Sequence, residues 1–268
     1  MATLTDKVAL VTGAARGQGR AHAVALARAG AHVAVCDVAH PLPTIPYALG
    51  TPGELAETAR LVEAEGRRCL RAVVDVRDGA ALEELVEQTV AELGRLHILV
   101  ANAGVISYGA AWELTEEQWD EVLGVNLTGV WKSCRAAVPA MLAHGEGGVI
   151  VITASTASVK GLAGMSHYVA AKHGCVGLAR SLALELAPHR IRVNCVAPGG
   201  VRTPMGTNTA MQELLEQDPA LAASLTAALP VDLVEPEDVS AAVVWLCSEA
   251  ARQVTGTVLP LDAGTLLR

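Results

Sequence analysis

Thr12-Gly13-Ala14-Ala15-Arg16-Gly17-Gln18-Gly19 decides how this chain is read, because of what stands on either side of it. A short apolar run, residues 8–11, precedes it and an amphipathic stretch follows, so the glycines fall at a strand-to-helix junction. The spacing is not G-x-G-x-x-G, but the mechanics are alike. Glycines let the backbone turn tightly and approach a pyrophosphate, and a helix N-terminus offers free N–H groups and the positive end of its dipole. A glycine cluster alone is as readily an ordinary tight turn. The place of this one at the first junction, with an acid (Asp37) ending the next apolar run, makes Gly13, Ala15, Arg16, Gly17, Gln18 and Gly19 candidates for a phosphate cradle.

The same alternation continues along the chain. Residues 8–11, 31–36, 71–76, 98–101, 149–153, 192–197 and 257–261 read as seven strands with helical stretches between them. Leu82, Leu85, Val86, Thr89 and Leu93 share one helical face, and Gly94 is a stop signal. Thr51-Pro52-Gly53-Glu54 has the form of a capping box with proline at the first helical position, and Thr115 with Gln118 makes a similar start. Regular alternation predicts an α/β fold: a Rossmann-type, doubly wound, parallel seven-stranded sheet with helices on both faces, as one domain over residues 1–268. Two segments break the rhythm. Residues 39–52 exceed the ~2–6 residues usual at such a junction and read as an insertion near the cofactor site. Residues 199–230 read as a substrate lid. A passive surface excursion is the other reading of each.

The composition is 51% hydrophobic but 3% aromatic, without phenylalanine, so the core is expected from Ala, Val, Leu and Ile. That suits close packing of helices on buried parallel strands. The net charge of -8 is spread along helices and leaves no basic patch, which argues against a nucleic-acid partner. Cys36, Cys69, Cys134, Cys175, Cys195 and Cys247 show no C-x-x-C spacing and no accompanying His cluster, so no metal site is expected. They read as small core residues in a reducing compartment. Residues 1–11 carry no leader signal, and a charge breaks each apolar run before it reaches spanning length. A soluble cytoplasmic protein without membrane contact is expected.

Ligands of open α/β sheets bind at the carboxyl ends of the strands. Asp37, ending the second strand, can accept bonds from both ribose hydroxyls of an adenosine and repels a 2′-phosphate, which argues for NAD over NADP. Arg16 pulls the other way, since a cation there could pair with that phosphate; Asp37 is given the greater weight. Asp75-Val76 is read as the end of the third strand, where a carboxylate can meet the adenine amine. Asn102-Ala103-Gly104 ends the fourth with small residues beside the ligand.

Tyr168 and Lys172 are four apart on one helical face, and Ser155 follows the fifth strand at the same sheet edge. By itself Tyr-x-x-x-Lys is a common surface pair. With Ser155, with Asn126 on the preceding helix and with the glycine-rich turn, it suits hydride-transfer chemistry. Oxidising an alcohol removes a hydroxyl proton as hydride leaves the carbon. A tyrosine beside an ammonium is a suitable general base, and the same group serves as acid in reduction. Ser155 can bond the substrate oxygen and stabilise charge developing there.

Taken together, Thr12–Gly19, Asn102-Ala103-Gly104, Asn126, Ser155/Tyr168/Lys172 and Pro198-Gly199 followed by Thr203 resemble the classical short-chain dehydrogenase/reductases over essentially the whole chain. The resemblance implies that Asn126 relays protons through a water and that Pro198, Val201 and Thr203 belong to the cofactor site, with Val201 and Thr203 at the nicotinamide carboxamide. It also implies a homotetramer built as a dimer of dimers. One departure is Ala101, where the family more often has Asn. Gly13–Arg20, Thr115–Trp119, His167–His173 and the insertion after Asp37 resemble the carveol-dehydrogenase-like branch. That branch implies an alicyclic alcohol or ketone as small-molecule substrate, NAD that is held rather than exchanged, and the redox carrier mycofactocin as partner. Ala197-Pro198-Gly199-Gly200 is closer to the general family pattern.

Other readings stay open at this point. A freely exchanging NAD(P)-dependent carbonyl reductase would share every motif. An inactive nucleotide sensor would have lost Tyr168 or Lys172, and both are present. A sugar epimerase or dehydratase shares the Tyr–Lys pair but usually carries a larger C-terminal region. The helix after Tyr168 is apolar around much of its girth, which predicts burial on more than one side, one of them against a second subunit.

Overall fold

The computed structural model describes residues 3–268; Met1 and Ala2, which open the stretch read as free of a leader signal, lie outside the described residues. Seven strands, β1 (Val8–Thr12), β2 (His32–Asp37), β3 (Cys69–Val73), β4 (Ile98–Ala101), β5 (Gly148–Thr153), β6 (Ile191–Pro198) and β7 (Val258–Leu261), form one sheet in the order β3-β2-β1-β4-β5-β6-β7. Every pairing is parallel. The winding reverses between β1 and β4, which opens a crevice at their carboxyl ends.

Alternate residues of each central strand feed opposite cores. Leu10, Leu99 and Ile150 pack on one face, while Ala9, Val11, Val100 and Val151 pack on the other. The first face is covered by α3 (Gly79–Leu93), α4 (Glu116–Leu123), α5 (Gly129–His144) and α6 (Ser166–Leu186). The second is covered by α1 (Gly17–Arg28), α2 (Pro52–Ala64) and α10 (Pro236–Cys247). Both expected capping boxes form, at Thr51 with Glu54 and at Thr115 with Gln118. The six cysteines are all free, and five are buried. Among the described residues no helix is long and apolar enough to cross a membrane, and no group of three His, Cys, Asp or Glu is placed to hold a metal.

One expectation is corrected. The third strand ends at Val73, not at residue 76. Its ladder stops with β2, at Asp37 opposite Val73, and Val74 gives its N–H to the Asp37 carbonyl at 2.9 Å. Asp75 then accepts the Arg77 N–H at 2.8 Å, an Asx turn that leads the chain away, so Asp75 and Val76 belong to a turn. Residues 199–230 contain three short helices, α7 (Pro204–Thr207), α8 (Thr209–Gln217) and α9 (Pro219–Ser224). Thr203, Asn208 and Asp218 cap them, and α7 and α9 are too short to show helical periodicity in sequence. Within the chain, α6 buries one side. His167, Tyr168, Ala171, Lys172, Cys175 and Ala179 face inward, while Ala170, Gly177 and Leu184 face outward.

Candidate active site

The switch-point crevice is an open-mouthed groove walled from both halves of the sheet. Its floor is the glycine-rich turn. Gly13 and Gly17 take φ of 66° and 55°, conformations that favour glycine. A Cβ on Gly19 would lie 2.0 Å from the Gly13 carbonyl oxygen, and one on Gly17 would lie 3.2 Å from the Thr203 methyl. The turn is therefore a cradle closed to side chains. Gln18 Oε1 is buried there without a protein partner. Arg20 and Thr58, which the sequence reading did not assign, brace the cradle: Thr58 Oγ1 donates to the Ala14 carbonyl at 2.8 Å, and Arg20 Nε donates to Thr58 Oγ1 at 3.0 Å.

Asp37 stands at the end of β2 in the crevice wall, almost fully buried. Its Oδ2 accepts the Ala15 N–H and its Oδ1 the Ala39 N–H, both at 3.0 Å, so the two oxygens are fixed and each keeps a lone pair. Ala15 is buried and joins the wall through that bond. Asn102 holds three strands together: its Nδ2 donates to the Thr12 carbonyl at 3.0 Å, and its Oδ1 accepts from Thr153 Oγ1 at 3.2 Å. Asn102, Ala103 and Gly104 face the crevice opposite the glycines. Asp75 and Val76 line its far end. Burial alone would raise the Asp75 carboxyl, but hydrogen bonds and charge from Arg77 outweigh it and hold the group below its usual value. Of the residues after β6, Thr203 reaches the crevice; Pro198 and Val201 are buried and do not line it, Val201 being bridged to Val234.

The insertion, residues 39–52, forms the outer wall through Leu42, Tyr47, Leu49 and Gly50. Four ties hold it. The Thr44 N–H and hydroxyl donate to Glu121 at 2.9 and 2.7 Å. Tyr47 Oη accepts the Ile106 N–H at 3.2 Å. Arg16 donates to the Ala48 carbonyl, so this guanidinium is engaged with the insertion and does not simply face solvent. Gly50 packs so closely on Ala15 that a Cβ would come within 2.6 Å.

The strip from Gly104 to Tyr108 joins this crevice to a second cleft. Gly104 and Val105 line the first; Ser107 and Tyr108 line the second with Leu162, Gly164, Ser166 and Leu214. Helix α6 runs beside that strip. Lys172 Nζ would lie 3.7 Å from a Cβ on Gly104, and His167 Nε2 is 2.8 Å from Ser107 Oγ. Tyr168 lies between these two anchors on the helix. Lys172 is buried, donates to the Thr153 carbonyl at 2.7 Å and lies 5.5 Å from the Tyr168 ring centroid. Ser155 caps the short turn after β5, accepting the Ala157 N–H at 3.1 Å. Tyr168, Lys172 and Ser155 line neither cavity wall directly.

Asn126 sits in a π-helical turn, Gly124–Thr128, that links α4 to α5. Its Nδ2 donates to the carbonyls of Val105 and Val122, both at 2.8 Å, which pins the strip to the helix. The Cys175 thiol donates to its main-chain carbonyl at 3.0 Å. All three tyrosines of the chain gather here. Burial raises the phenol of Tyr47, and also that of Tyr108, which accepts from Asn208 Nδ2 at 3.2 Å. Burial lowers the His167 imidazole.

A glycine cradle, a buried carboxylate at the end of β2 and a buried Tyr–Lys pair share one sheet edge, and the chain belongs to the short-chain dehydrogenase/reductase family of nicotinamide-dependent oxidoreductases. The family model described as enoyl-(acyl carrier protein) reductase matches residues 13–265. A (-)-trans-carveol dehydrogenase of Rhodococcus erythropolis is 48% identical, covering 100% of both chains. The crystal structure of carveol dehydrogenase from Mycobacterium avium in complex with NAD superposes with a TM-score of 0.96 at 44% identity, covering 100% of both chains. A short chain dehydrogenase from Mycobacterium paratuberculosis bound to NAD gives 0.96 at 46% identity, covering 99% of this chain and 100% of that one. The protein is an NAD-dependent alcohol dehydrogenase of this family. The glycine cradle, the orphan Gln18 oxygen and the fixed Asp37 carboxylate fit that cofactor.

Proposed function

We propose that the protein interconverts a neutral, apolar or alicyclic secondary alcohol of the carveol kind and its ketone, with Tyr168 as the proton-transferring group. The observation that carries this is the Lys172 ammonium, buried 5.5 Å from the Tyr168 ring and clasped by the Thr153 carbonyl. NAD supplies a hydride acceptor in the crevice. Tyr168 takes the hydroxyl proton in oxidation and returns it in reduction. Lys172 is placed to stabilise negative charge developing on the phenolic oxygen. Ser155 holds the substrate oxygen by hydrogen bonding. Asn126, pinned at both ends, positions a water-borne proton path from Lys172. The cofactor contacts assigned to Gly13, Ala15, Arg16, Gly17, Gln18, Gly19, Asp37, Asp75, Val76, Asn102, Ala103, Gly104, Tyr168, Lys172, Pro198, Val201 and Thr203 are part of the same proposal, Lys172 bonding the nicotinamide ribose and those of Pro198 and Val201 being indirect.

The second cleft supports the substrate class. Leu162, Ala163, Tyr108, Ala210 and Leu214 line it, and its charged lining residues are Glu113 and Glu213, with no Lys or Arg among the described residues there. Such a mouth repels the phosphates of an acyl thioester and admits a neutral terpenoid-sized ring. Turnover of carveol and other cyclic secondary alcohols, with none of enoyl or ketoacyl thioesters, is the expected result; the reverse preference overturns the reading.

The walled crevice supports a further part of the proposal: NAD stays bound and is reoxidised in place by a carrier of the mycofactocin kind. Protein purified without added NAD should then release it on denaturation. Cofactor-free protein that turns over with free NAD as sole acceptor would favour ordinary exchange. The outward apolar stripe of α6 supports a homotetramer, and the unpaired cysteines support a cytoplasmic location.

A further inference from the structure

We infer that Glu121 is a positioning residue of the cofactor site, the shared anchor through which the insertion and the adenine end of the crevice hold one another in place. The inference rests on the proposed reading that residues 39–52 cover the bound cofactor. Glu121 lies on α4, outside the crevice wall, and is 6% exposed. A carboxylate so buried needs partners, and it has them on both sides. One oxygen accepts the Thr44 N–H at 2.9 Å and the Thr44 hydroxyl at 2.7 Å. The other accepts from Arg77 Nη1 at 3.2 Å.

Arg77 in turn grips Asp75, with Nε at 2.9 Å and Nη2 at 2.7 Å from Oδ2. Asp75 and Val76 line the crevice, at the end that the proposed reading gives to the adenine. A continuous chain of charge-assisted bonds therefore runs from the adenine wall through Arg77 and Glu121 to the insertion. Such bonds are short and strong, and they depend on one another because Glu121 and Arg77 are each shared. A cofactor that holds Asp75 in place also holds Arg77 on Glu121, and so keeps Thr44 seated. The coupling is reciprocal: unseating Thr44 loosens the adenine wall.

The test follows release of NADH from the full-length protein, by loss of its fluorescence on chasing with excess NAD. Thr44→Val and Glu121→Ala should each speed release about tenfold, the scale set by losing a hydrogen bond to a charged group. The double variant should release no faster than Glu121→Ala, because both changes cut one path. Competitive inhibition by ADP-ribose should weaken in parallel, while cofactor-free Thr44→Val stays folded and unfolds in a single transition. Release within about twofold of the parent in both single variants, or additive effects in the double, overturns the inference. Should Glu121→Ala fail to fold, Thr44→Val and Glu121→Gln decide it, the latter keeping an acceptor for Thr44 and so expected between parent and Thr44→Val. Rapid release from the parent itself would sink the held-cofactor reading, and a further tenfold rise in the variants would still support the anchor.

Discussion

At the scale of single residues, the site depends on where two charges are allowed to be. Lys172 is a buried cation with one protein acceptor, the Thr153 carbonyl, and the Tyr168 ring beside it. Tyr168→Phe removes only the hydroxyl, so turnover should fall by at least about 10²-fold while NADH binding stays within about twofold; near-parent turnover would refute the role. Asp37 is the other charge, fixed by the Ala15 and Ala39 N–H groups. Asp37→Ala should lower the preference for NAD over NADP by about tenfold or more, because a 2′-phosphate no longer meets a carboxylate. An unchanged ratio of kcat/KM values would show that the discrimination lies elsewhere. These residues were legible in sequence because residues four apart on a helix share a face and strand ends share an edge. Arg16 was not: a 32-residue separation hides its bond to the Ala48 carbonyl.

At the scale of elements, the cradle works because α1 starts directly against the turn it caps. The Cβ that Gly19→Ala adds would meet the Gly13 carbonyl, which is backbone and has no rotamer to move. We expect this variant to lose about 1–3 kcal/mol of stability and most of its NAD affinity, read by thermal unfolding with and without NAD. A variant that still gains the parent's full NAD-induced stabilisation would contradict it. Capping boxes at Thr51 and Thr115 were readable because capping is local. The end of β3 was not, because residues 74–76 are apolar enough for a strand, and only the length of β2 stops the ladder. Helices α7 and α9 escaped because turns this short are held by caps and by packing, whereas α8 carries an apolar face, Met211, Leu214 and Leu215, that helical spacing alone could have shown.

At the scale of the whole molecule, burial of histidines gives an acid dependence. His22 is enclosed between α1 and α10 and lowered to about 3, and His97, half-buried, is lowered to about 4; desolvation is the main cause in both. With folded values below the 6.5 of the free side chain, the unfolded chain binds protons first. Stability should therefore fall as pH drops below about 6.5, until about 4 for His97 and about 3 for His22. His97→Gln should flatten the decline above pH 4; a thermal midpoint constant between about pH 7 and 5 would refute the account. The outward stripe of α6 gives the second prediction. A Cβ at Gly177 meets nothing within 4 Å and Leu184 is 79% exposed, so a partner helix has room to approach. Sedimentation should report a tetramer, and Leu184→Glu should shift it to smaller species. A monomeric parent would remove the assembly proposal.

The amino-acid sequence by itself determined the strand–helix alternation, the glycine turn, the acid at the end of β2 and the Tyr168–Lys172 face. Each of these follows from periodicity or from a few neighbouring residues. Tertiary structure decided what sequence separation conceals: that residues 39–52 wall the crevice, that Tyr47 and Tyr108 join Tyr168, and that Glu121 holds Thr44 across 77 positions. Those contacts are made between elements on different parts of the sheet edge. No local pattern encodes them, because which loops meet there is settled only when the parallel sheet has been wound.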